Sequence, residues 1–400
     1  MNKQTNTPEL RFPEFDEEWE KRKLGEVVNY KNGGSFESLV KNHGVYKLIT
    51  LKSVNTEGKL CNSGKYIDDK CVETLCNDTL VMILSEQAPG LVGMTAIIPN
   101  NNEYVLNQRV AALVPKQFID SQFLSKLINR NQKYFSVRSA GTKVKNISKE
   151  HVENFNFLSP DYTEQQKIGN FFSKLDRQIE LEEEKLELLE QQKRGYMQKI
   201  FSQELRFKDD NGNSYPKWSI KKIEDISKVN KGFTPNTKNN EYWDELNENW
   251  LSIAGMTQKY LYKGNKGITE KGASKHAKVD KDTLIMSFKL TLGKLAIVKE
   301  PIYTNEAICH FVWKESNVNT EYMYYYLNSI NISTFGAQAV KGVTLNNDSI
   351  NSIIVKLPVI QEQNKIAYFF NELDKVIRKQ YAKIEVLKQR KKGLLQKMFI

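Results

Sequence analysis

The sequence contains no apolar run that approaches the roughly 20 residues a membrane-spanning helix requires. The first seven residues are polar and no apolar segment follows them, which argues against a signal peptide. The four cysteines are Cys61, Cys71, Cys76 and Cys309, and none forms a C-x-x-C pair, so neither a zinc ribbon nor a disulfide framework is indicated. These absences predict a soluble, cytoplasmic protein with reduced thiols.

Sequence signatures of catalysis are also missing. No Gly-Lys pair is followed by Ser or Thr, so there is no G-x-x-x-x-G-K-[ST] phosphate-binding loop. The Asn-Pro-Pro-aromatic tetrad, with which adenine methyltransferases hold the target amino group, is absent, and the four histidines lack metal-ligand spacing. A nuclease-like set of Asp161, Glu183 and Lys185 falls mainly on one predicted helix, where its carboxylates do not converge. We therefore predict no catalytic residue and no metal site.

The composition is that of a folded protein with more than one domain. Four hundred residues, of which 40% are hydrophobic, exceed what a single core usually holds, so two domains are the simplest expectation. The 59 Lys and Arg residues outnumber the 48 Asp and Glu residues and give a formal net charge of +11. Such a surface favours a polyanionic partner, although charge alone does not identify it.

The chain repeats itself once at a shift of 198 residues. Residues 164–176, Glu-Gln-Gln-Lys-Ile-Gly-Asn-Phe-Phe-Ser-Lys-Leu-Asp, recur as residues 362–374, Glu-Gln-Asn-Lys-Ile-Ala-Tyr-Phe-Phe-Asn-Glu-Leu-Asp. The similarity extends backwards through both halves, where Trp19 aligns with Trp218 and the tract Glu-Leu-Arg-Phe occurs at 9–12 and again at 204–207. A period this long indicates domain duplication rather than a solenoid. We expect the two halves to close on each other with approximate twofold symmetry.

Each half ends in a long helix whose apolar residues alternate in four-three spacing, which is typical of a coiled-coil seam. Polar residues interrupt both seams at equivalent positions, Glu182 and Lys193 in the first helix, Gln380 and Lys391 in the second. The predicted seam residues are Ile168, Phe172, Leu175, Ile179, Leu186 and Leu189 in the first helix, and Ile366, Phe370, Leu373, Ile377, Ile384 and Leu387 in the second.

The middle of the first helix is acidic and the middle of the second is basic, which favours pairing of one with the other. Because a globular domain precedes each helix, we expect antiparallel packing. The alternative is that each amphipathic helix lies on its own domain. The predicted division is a first globular domain at 1–160, a central helix at 161–205, a second globular domain at 206–358 and a C-terminal helix at 359–400.

The globular regions combine short β-rich runs with loops rich in Gly, Asn, Lys and Ser, so the predicted class is α+β, with two similar globular domains separated by the helix pair. Strands are predicted at 46–51, 79–84, 109–114, 284–288, 295–298 and 308–313, and short helices at 121–129 and 321–328.

Basic and other hydrogen-bonding side chains on the flexible loops are the candidate DNA-binding residues, since Arg, Lys, Asn and Gln can bind base edges and Lys can bind phosphates. A solvated surface role is the alternative for any one of them. The candidates are Lys31, Asn32, Gln87, Arg138, Thr142, Lys143, Lys145 and Asn146 in the first half, and Lys231, Thr234, Lys289, Lys294, Lys341 and Asn346 in the second.

The duplicated Glu-Gln-x-Lys-Ile-x-x-Phe-Phe-x-x-Leu-Asp motif and the Leu-Arg-Phe openings resemble the specificity (S) subunits of type I restriction-modification systems across essentially the whole chain. The resemblance implies two target-recognition domains that each bind one half of a bipartite double-stranded DNA sequence. It also implies two methyltransferase (M) subunits and further restriction (R) subunits as partners. Their cofactors, S-adenosylmethionine, ATP and Mg, would be bound by those partners and not by this chain. A duplicated coiled-coil scaffold with non-specific DNA binding is the alternative.

Overall fold

The computed structural model of the chain describes residues 6–69, 72–86, 90–141, 144–274, 276–339 and 342–400. Its elements confirm the predicted α+β class. The chain forms two compact units, of which unit 1 comprises Met1–Glu184 with Ala382–Ile400 and unit 2 comprises Lys185–Tyr381. Each unit therefore contains one globular region, the first part of the long helix that follows it, and the last part of the other long helix.

Unit 1 is built from eleven strands and four short helices in its described residues. The strands are β1 Glu20–Lys23, β2 Val28–Asn32, β3 Tyr46–Ile49, β4 Tyr66–Ile67, β5 Leu80–Ile83, β6 Ser85–Glu86, β7 Thr95–Ile97, β8 Tyr104–Leu106, β9 Val110–Pro115, β10 Lys145–Asn146 and β11 Asn156–Ser159. The helices are α1 Leu24–Val27, α2 Ser121–Arg130, α3 Gln132–Arg138, α4 Lys149–Glu153 and the long α5 Tyr162–Phe201, which continues into unit 2.

The central sheet of unit 1 has the order β2-β9-β5-β7 with all pairs antiparallel. Strand β5 is buried on both faces, because Leu80 and Met82 belong to the core beneath α2 while Val81 and Ile83 belong to the core on the opposite face. This two-sided burial explains why the segment is continuously apolar instead of alternating.

Unit 2 repeats this plan. Its strands are β12 Ser219–Lys222, β13 Ser227–Lys231, β14 Trp250–Leu251, β15 Tyr260–Leu261, β16 Leu284–Ser287, β17 Leu295–Val298, β18 Tyr303–Thr304, β19 Ile308–Trp313, β20 Ala337–Ala339, β21 Gly342–Thr344 and β22 Ile354–Leu357. Its helices are α6 Ile223–Ile226, α7 Glu270–Ala273, α8 Thr320–Ser329, α9 Asn347–Asn351 and the long α10 Ile360–Met398, which ends in unit 1.

The central sheet of unit 2 has the order β13-β19-β16-β17-β15, in which only the β15 and β17 pair is parallel. Strand β16 corresponds to β5 and is also buried on both faces, with Leu284 and Met286 in one core and Ile285 in the other. The six predicted strands and two predicted short helices all appear within two residues of their expected ends.

The duplicated Glu-Gln pair anchors each long helix to its own globular region. Glu164 is fully buried and accepts two hydrogen bonds from Arg11, from Nε at 2.8 Å and from Nη2 at 2.7 Å. Glu362 makes the same bidentate contact with Arg206 and also accepts a bond from Trp218 Nε1 at 3.0 Å. The repeated Leu-Arg-Phe and Glu-Gln segments thus recur together because they form a charge-assisted contact in both units.

The glutamine of each pair connects the N-terminus of a short helix, α2 in unit 1 or α8 in unit 2, to the start of the long helix. Gln165 Oε1 accepts from the amide of Asp120, the residue that caps α2, while its Nε2 donates to the carbonyl of Pro160. Gln363 makes the equivalent bonds to the Asn319 amide and to the Pro358 carbonyl. Each long helix therefore begins at a fixed place on its domain.

Within unit 1 the two long helices run antiparallel. Asp176 of α5 pairs with Lys391 of α10 at 2.5 Å, and further along α5 Glu182 pairs with Lys383 at 2.5 Å. The predicted attraction between the acidic and basic helix centres is realised in such contacts, but the exposed pairs contribute at most about 1 kcal/mol each. Within unit 2 the two helices are also antiparallel, since Lys193 pairs with Asp374 at 2.6 Å and, further along α5, Phe201 stacks on Phe370, which precedes Asp374 in α10.

None of the predicted seam residues is exposed. Ile168, Phe172, Ile179, Ile366, Phe370, Ile384 and Leu387 are buried, and Leu175, Leu186, Leu189, Leu373 and Ile377 are half-buried. The first turns of each helix pack on the preceding domain, because Ile168 and Phe172 belong to the core of unit 1 and Ile366 and Phe370 to that of unit 2. Both packing arrangements considered from the sequence therefore occur, in different parts of each helix.

Candidate nucleic-acid interface

Three strands of unit 1 meet at one end of the central sheet. Because β2 and β5 both run antiparallel to β9, the pairings Asn32 with Ala111 and Ile83 with Val110 place the last residues of β2 and β5 beside the first residues of β9. Backbone bonds continue this edge, since the Leu84 amide donates to the carbonyl of Arg109 at 3.1 Å. The loops that leave these strands are thereby gathered on one side of the unit.

Several candidate DNA ligands lie on this edge. The exposed side chains of Lys145 and Asn146 are held there by pairing of β10 with β6, in which Lys145 faces Glu86 and Asn146 faces Ser85. We call the exposed polar set at this edge the reading edge of unit 1. It consists of Lys31, Asn32, Arg109, Lys145 and Asn146.

Lys31 is exposed and its Nζ lies 2.6 Å from Glu73 Oε1. The hydrogen bond to Glu73 raises the pKa of Lys31, so the ammonium is charged at neutral pH. Gly33 lies two residues further on, and a Cβ at this position would lie 2.0 Å from the Asn107 carbonyl oxygen. The glycine that follows Asn32 therefore allows the end of β2 to approach the backbone of the neighbouring loop.

Arg138 is close to this edge but is turned back toward its own helix. Its guanidinium carbon lies 3.8 Å from the centre of the Tyr134 ring, and its Nη1 donates to the Tyr134 carbonyl at 3.3 Å. Two backbone bonds between Ala140 and Asn146, each 2.9 Å, join the end of this segment to the reading edge of unit 1. A contact between Arg138 and DNA would thus require the side chain to leave the tyrosine ring.

Unit 2 gathers the equivalent strand ends in the same way. Lys231, the last residue of β13, pairs with Cys309, and Ser287, the last residue of β16, pairs with Ile308. A Cβ on Gly232 would lie 2.1 Å from the Thr304 carbonyl oxygen, so the glycine that follows Lys231 has the same steric reason as Gly33.

The exposed lysines of this edge surround a buried aromatic ring. Lys231 Nζ lies 4.6 Å and Lys289 Nζ 5.7 Å from the centre of the Phe288 ring. Phe288 itself is fully buried and its carbonyl accepts from the Leu345 amide at 3.2 Å, which brings the segment before α9 to the same place. We call Lys231, Thr234, Lys289, Lys294 and Asn346 the reading edge of unit 2.

Three members of that set also have structural roles. Thr234 Oγ1 accepts from Asn305 Nδ2 at 2.8 Å, and Asn346 caps α9 by accepting from the Ser349 amide at 2.7 Å. Lys294 closes the turn between β16 and β17, where its amide donates to Ser287 Oγ at 3.0 Å. The side chains of Lys231 and Lys289 are exposed, whereas that of Lys294 is half-buried, so Lys231 and Lys289 are best placed to contact a ligand. The candidates Gln87, Thr142, Lys143 and Lys341 lie outside the described residues.

Two features of these edges were missed by sequence reasoning. Arg109 is exposed and lies immediately before β9, whereas the apolar run that follows it predicted a strand that includes it. In unit 2 the exposed ring of His276 stacks on Phe233 with ring centres 3.7 Å apart and an angle of 7°. No sequence signal predicts that contact, because its partners lie 43 residues apart.

The residues of the nuclease-like set have other roles. Asp161 Oδ1 caps α5 by accepting from the Thr163 and Glu164 amides at 2.7 and 2.9 Å. Glu183 pairs with Lys388 at 2.6 Å, and the hydrogen bond to that lysine lowers the pKa of the carboxyl. Twenty-two residues at 1.5 Å rise separate the two acids by about 30 Å, which excludes a joint site.

In the described part of the chain no group of three or more His, Cys, Asp or Glu side chains is arranged to hold a metal ion. Likewise, among the described residues, no helix combines the length and the hydropathy of a membrane span.

Comparison with protein families gives two matches to one family. The profile described as "Type I restriction modification DNA specificity domain" matches residues 16–191 and again residues 215–389. Each match begins in one globular region and ends within the long helix that follows it, so the family repeat coincides with the internal duplication.

Curated relatives are similar over part or nearly all of the chain. The type I restriction enzyme MjaIX specificity subunit of Methanocaldococcus jannaschii is 29% identical over 209 residues, which are 50% of this chain and 48% of that protein. The chain thus spans about half the length of that relative. The MjaVIII specificity subunit of the same organism is 20% identical over 98% of this chain and 95% of that protein.

Two solved structures share the fold. A type I restriction-modification S subunit from M. genitalium superposes with a TM-score of 0.62 at 17% identity over 98% of this chain and 99% of that one. A chain from a structure of type I R-M complex assembly and conformational transition superposes with a TM-score of 0.59 at 13% identity, over 95% and 97% of the two chains. At these identities the likeness concerns the fold alone.

Proposed function

The chain belongs to the family of type I restriction-modification DNA specificity domains, and from this we propose that it selects the DNA target of a type I restriction-modification complex. Each recognition unit binds one half of a bipartite double-stranded sequence. The observation that carries the proposal is that both family matches contain a complete set of sheet, reading edge and anchoring helix.

The reading edges support separate specificities. The last residues of β2 and β13 occupy equivalent backbone positions, and they are the exposed Asn32 in unit 1 and the exposed Lys231 in unit 2. Side chains that differ on a shared backbone frame present different donors and acceptors, which is what two unlike half-sites require. The recognition domains in this proposal are residues 1–160 and 206–358, and the helices 161–205 and 359–400 connect them.

The chain is non-catalytic in this proposal. Two methyltransferase subunits methylate adenine with S-adenosylmethionine, and restriction subunits cleave DNA with ATP and Mg. Support comes from the family membership and from the resemblance of the duplicated helix motif to that of S subunits. The specificity subunit contributes sequence selection and a frame on which the other subunits assemble.

Exchange of one recognition domain tests the proposal. Residues 12–158 are replaced by the matching region of a related subunit, and methylated adenines are mapped across the genome of cells that carry the exchanged chain. One half of the methylated motif should change and the other half should stay the same. The reciprocal exchange of residues 207–356 is the matched control and should change only the second half.

A non-specific scaffold would behave differently in the same experiment. Its exchange would leave the methylated motif as it was, and its DNA binding would show only the salt-sensitive background that phosphate contacts supply. A motif that changes in both halves at once would contradict independent reading by the two units.

A further inference from the structure

The lysines that interrupt the predicted seam each face an aspartate. In unit 1 Lys391 Nζ lies 2.5 Å from Asp176 Oδ1, and in unit 2 Lys193 Nζ lies 2.6 Å from Asp374 Oδ1. Asp176 and Asp374 are the last residues of the duplicated motif, so the interruptions and the motif recur as one paired feature. All four side chains are at least three-quarters buried.

Each aspartate also holds the short helix of its recognition domain. In unit 1 Lys126 of α2 forms an ion pair with the other oxygen of Asp176. In unit 2 the equivalent residue of α8 is Tyr325, whose hydroxyl donates to Asp374 Oδ2 at 2.5 Å. One carboxylate in each unit therefore joins three elements, namely the short helix of the domain, the long helix after that domain and the other long helix. We call each such set a three-element tie.

Unit 2 extends its tie further into the domain. Lys259, in the turn before β15, pairs with Glu321 at 2.5 Å and donates to Tyr325 Oη at 2.8 Å. It also hydrogen-bonds to Asn371 Oδ1 of α10 and lies 4.1 Å from the centre of the Tyr325 ring. Its side chain is only 10% exposed, so the contact connects the sheet region to the long helix away from water.

Contacts of this kind fix an orientation more sharply than apolar packing does. Apolar surfaces tolerate small sliding and rotation, whereas hydrogen bonds to a buried carboxylate are directional and separation of a buried ion pair leaves an uncompensated charge. Buried polar groups at a helix seam are known to specify register. Burial raises the pKa of Asp176, but the two neighbouring lysines outweigh it and the pKa is lowered, so the carboxylate is ionised at neutral pH.

We propose that Asp176 and Asp374 are positioning residues that set the spacer length between the two half-sites which the complex accepts. The proposal rests on the proposed function. One extra base pair moves a half-site by about 3.4 Å and turns it by ~35° about the DNA axis. A recognition domain that is tied to the helix pair through a three-element contact resists that displacement, and the native spacer is preferred for this reason.

The test compares Asp176→Asn and Asp374→Asn with the wild type in complexes assembled with the methyltransferase subunits. Glu184→Gln is the matched control, because it removes an exposed carboxylate of the helix that carries Asp176, and among the described residues the ion pair of Glu184 is with exposed Arg177. Methylation rates are measured on synthetic duplexes that carry the mapped half-sites with the native spacer, one base pair fewer or one base pair more.

The native-to-altered rate ratio should fall at least tenfold in each aspartate variant and stay unchanged in the control. Discrimination against a substituted base within either half-site should be retained. The effect should be larger for Asp176→Asn, which leaves two ammonium groups facing an amide, than for Asp374→Asn, which leaves one. Adding Lys126→Gln to Asp176→Asn removes one of these charges and should recover part of the spacer preference.

The proposal fails if folded aspartate variants keep the wild-type spacer ratio, or if they lose methylation equally on all three duplexes, which would indicate a purely structural role. Thermal melting establishes that each variant is folded at the assay temperature. A wild-type complex that shows no preference for any bipartite duplex would overturn the proposed function instead, so the two failures are distinguishable.

Discussion

Phe399 lies near the C-terminus of the chain but belongs to the core of unit 1, most of which is formed by residues before 173. Replacing it by alanine should therefore destabilise unit 1. Phe399 is 2% exposed and its ring centre lies 5.3 Å from that of Phe123, 5.9 Å from that of Phe172 and 6.5 Å from that of Trp19. One repeat period earlier, Phe201 occupies the matching place in unit 2, where it packs against Tyr322, Tyr326 and Phe370.

Truncation of a buried phenylalanine to alanine removes its apolar burial and leaves a cavity, which together cost about 3–5 kcal/mol. The rings around Phe399 belong to three different segments and are themselves close-packed, so the cavity cannot collapse easily. We expect unit 1 to lose about 4 kcal/mol. Phe201→Ala should cost unit 2 a similar amount, since Phe201 is 7% exposed and contacts three rings as well.

Native-state hydrogen exchange measures this loss separately in the two units. The amides of β5 report on unit 1 and those of β16 on unit 2, and 4 kcal/mol corresponds to nearly three orders of magnitude in protection. Phe399→Ala should accelerate exchange in β5, and Phe201→Ala should accelerate it in β16. Ile400→Ala is the control, because Ile400 is 39% exposed and its loss should cost under about 1 kcal/mol. Unchanged protection of β5 in Phe399→Ala would refute the assignment of this segment to the core of unit 1.

Three further outcomes are expected. Burial lowers the pKa of His310 to about 4, so this histidine should destabilise the fold by up to about 3 kcal/mol as pH falls from 6.5 to 4 and no further below. Urea unfolding of the wild type and of His310→Gln against pH checks this, because the variant should lack that loss of stability. Neutralising Lys145 or Lys231 should weaken DNA binding by the assembled complex and should reduce the slope of log binding constant against log salt concentration by up to about one unit each. Fluorescence anisotropy measures this slope, and an unchanged value in both variants would show that DNA does not contact these two edges. Arg206→Met should cost about 3 kcal/mol in thermal unfolding because it leaves a buried carboxylate without its cation, and an unaltered melting temperature would contradict that pairing.

Much of the architecture could be predicted because it depends on local patterns and on self-similarity. The continuous apolar runs predicted β5 and β16, since a strand buried on both faces has no polar positions to alternate with. The four-three spacing predicted α5 and α10, and the opposite charges of their centres favoured pairing of one with the other. The globular domain before each helix predicted the antiparallel direction. The repeat predicted domain duplication, and the ion pairs of Glu164 and Glu362 with an arginine occur at equivalent places in the two units.

The binding residues were harder to predict, because polar loop residues carry no periodicity that distinguishes a ligand contact from a structural bond. Asn346 and Thr234 lie in Gly-containing segments predicted as loops, as does Lys231. In the structure, however, Asn346 caps a helix and Thr234 accepts a hydrogen bond from Asn305. Arg109 was assigned to a strand because its neighbours are apolar, although its own side chain is exposed.

By itself the sequence determined the duplication, the two long helices, the central strands and the family, because each depends on residue order along one segment or on comparison of one segment with another. Tertiary structure alone decided which strand ends meet at the reading edges and which partner each seam lysine faces. Lys391 and Asp176 are separated by more than 200 residues along the sequence. Lys126 and Tyr325, which complete the two three-element ties, lie on short helices whose periodicity indicates a buried face but not the residue that this face contacts. Periodicity specifies that a face is covered; the partner that covers it is chosen by the packing of the whole unit.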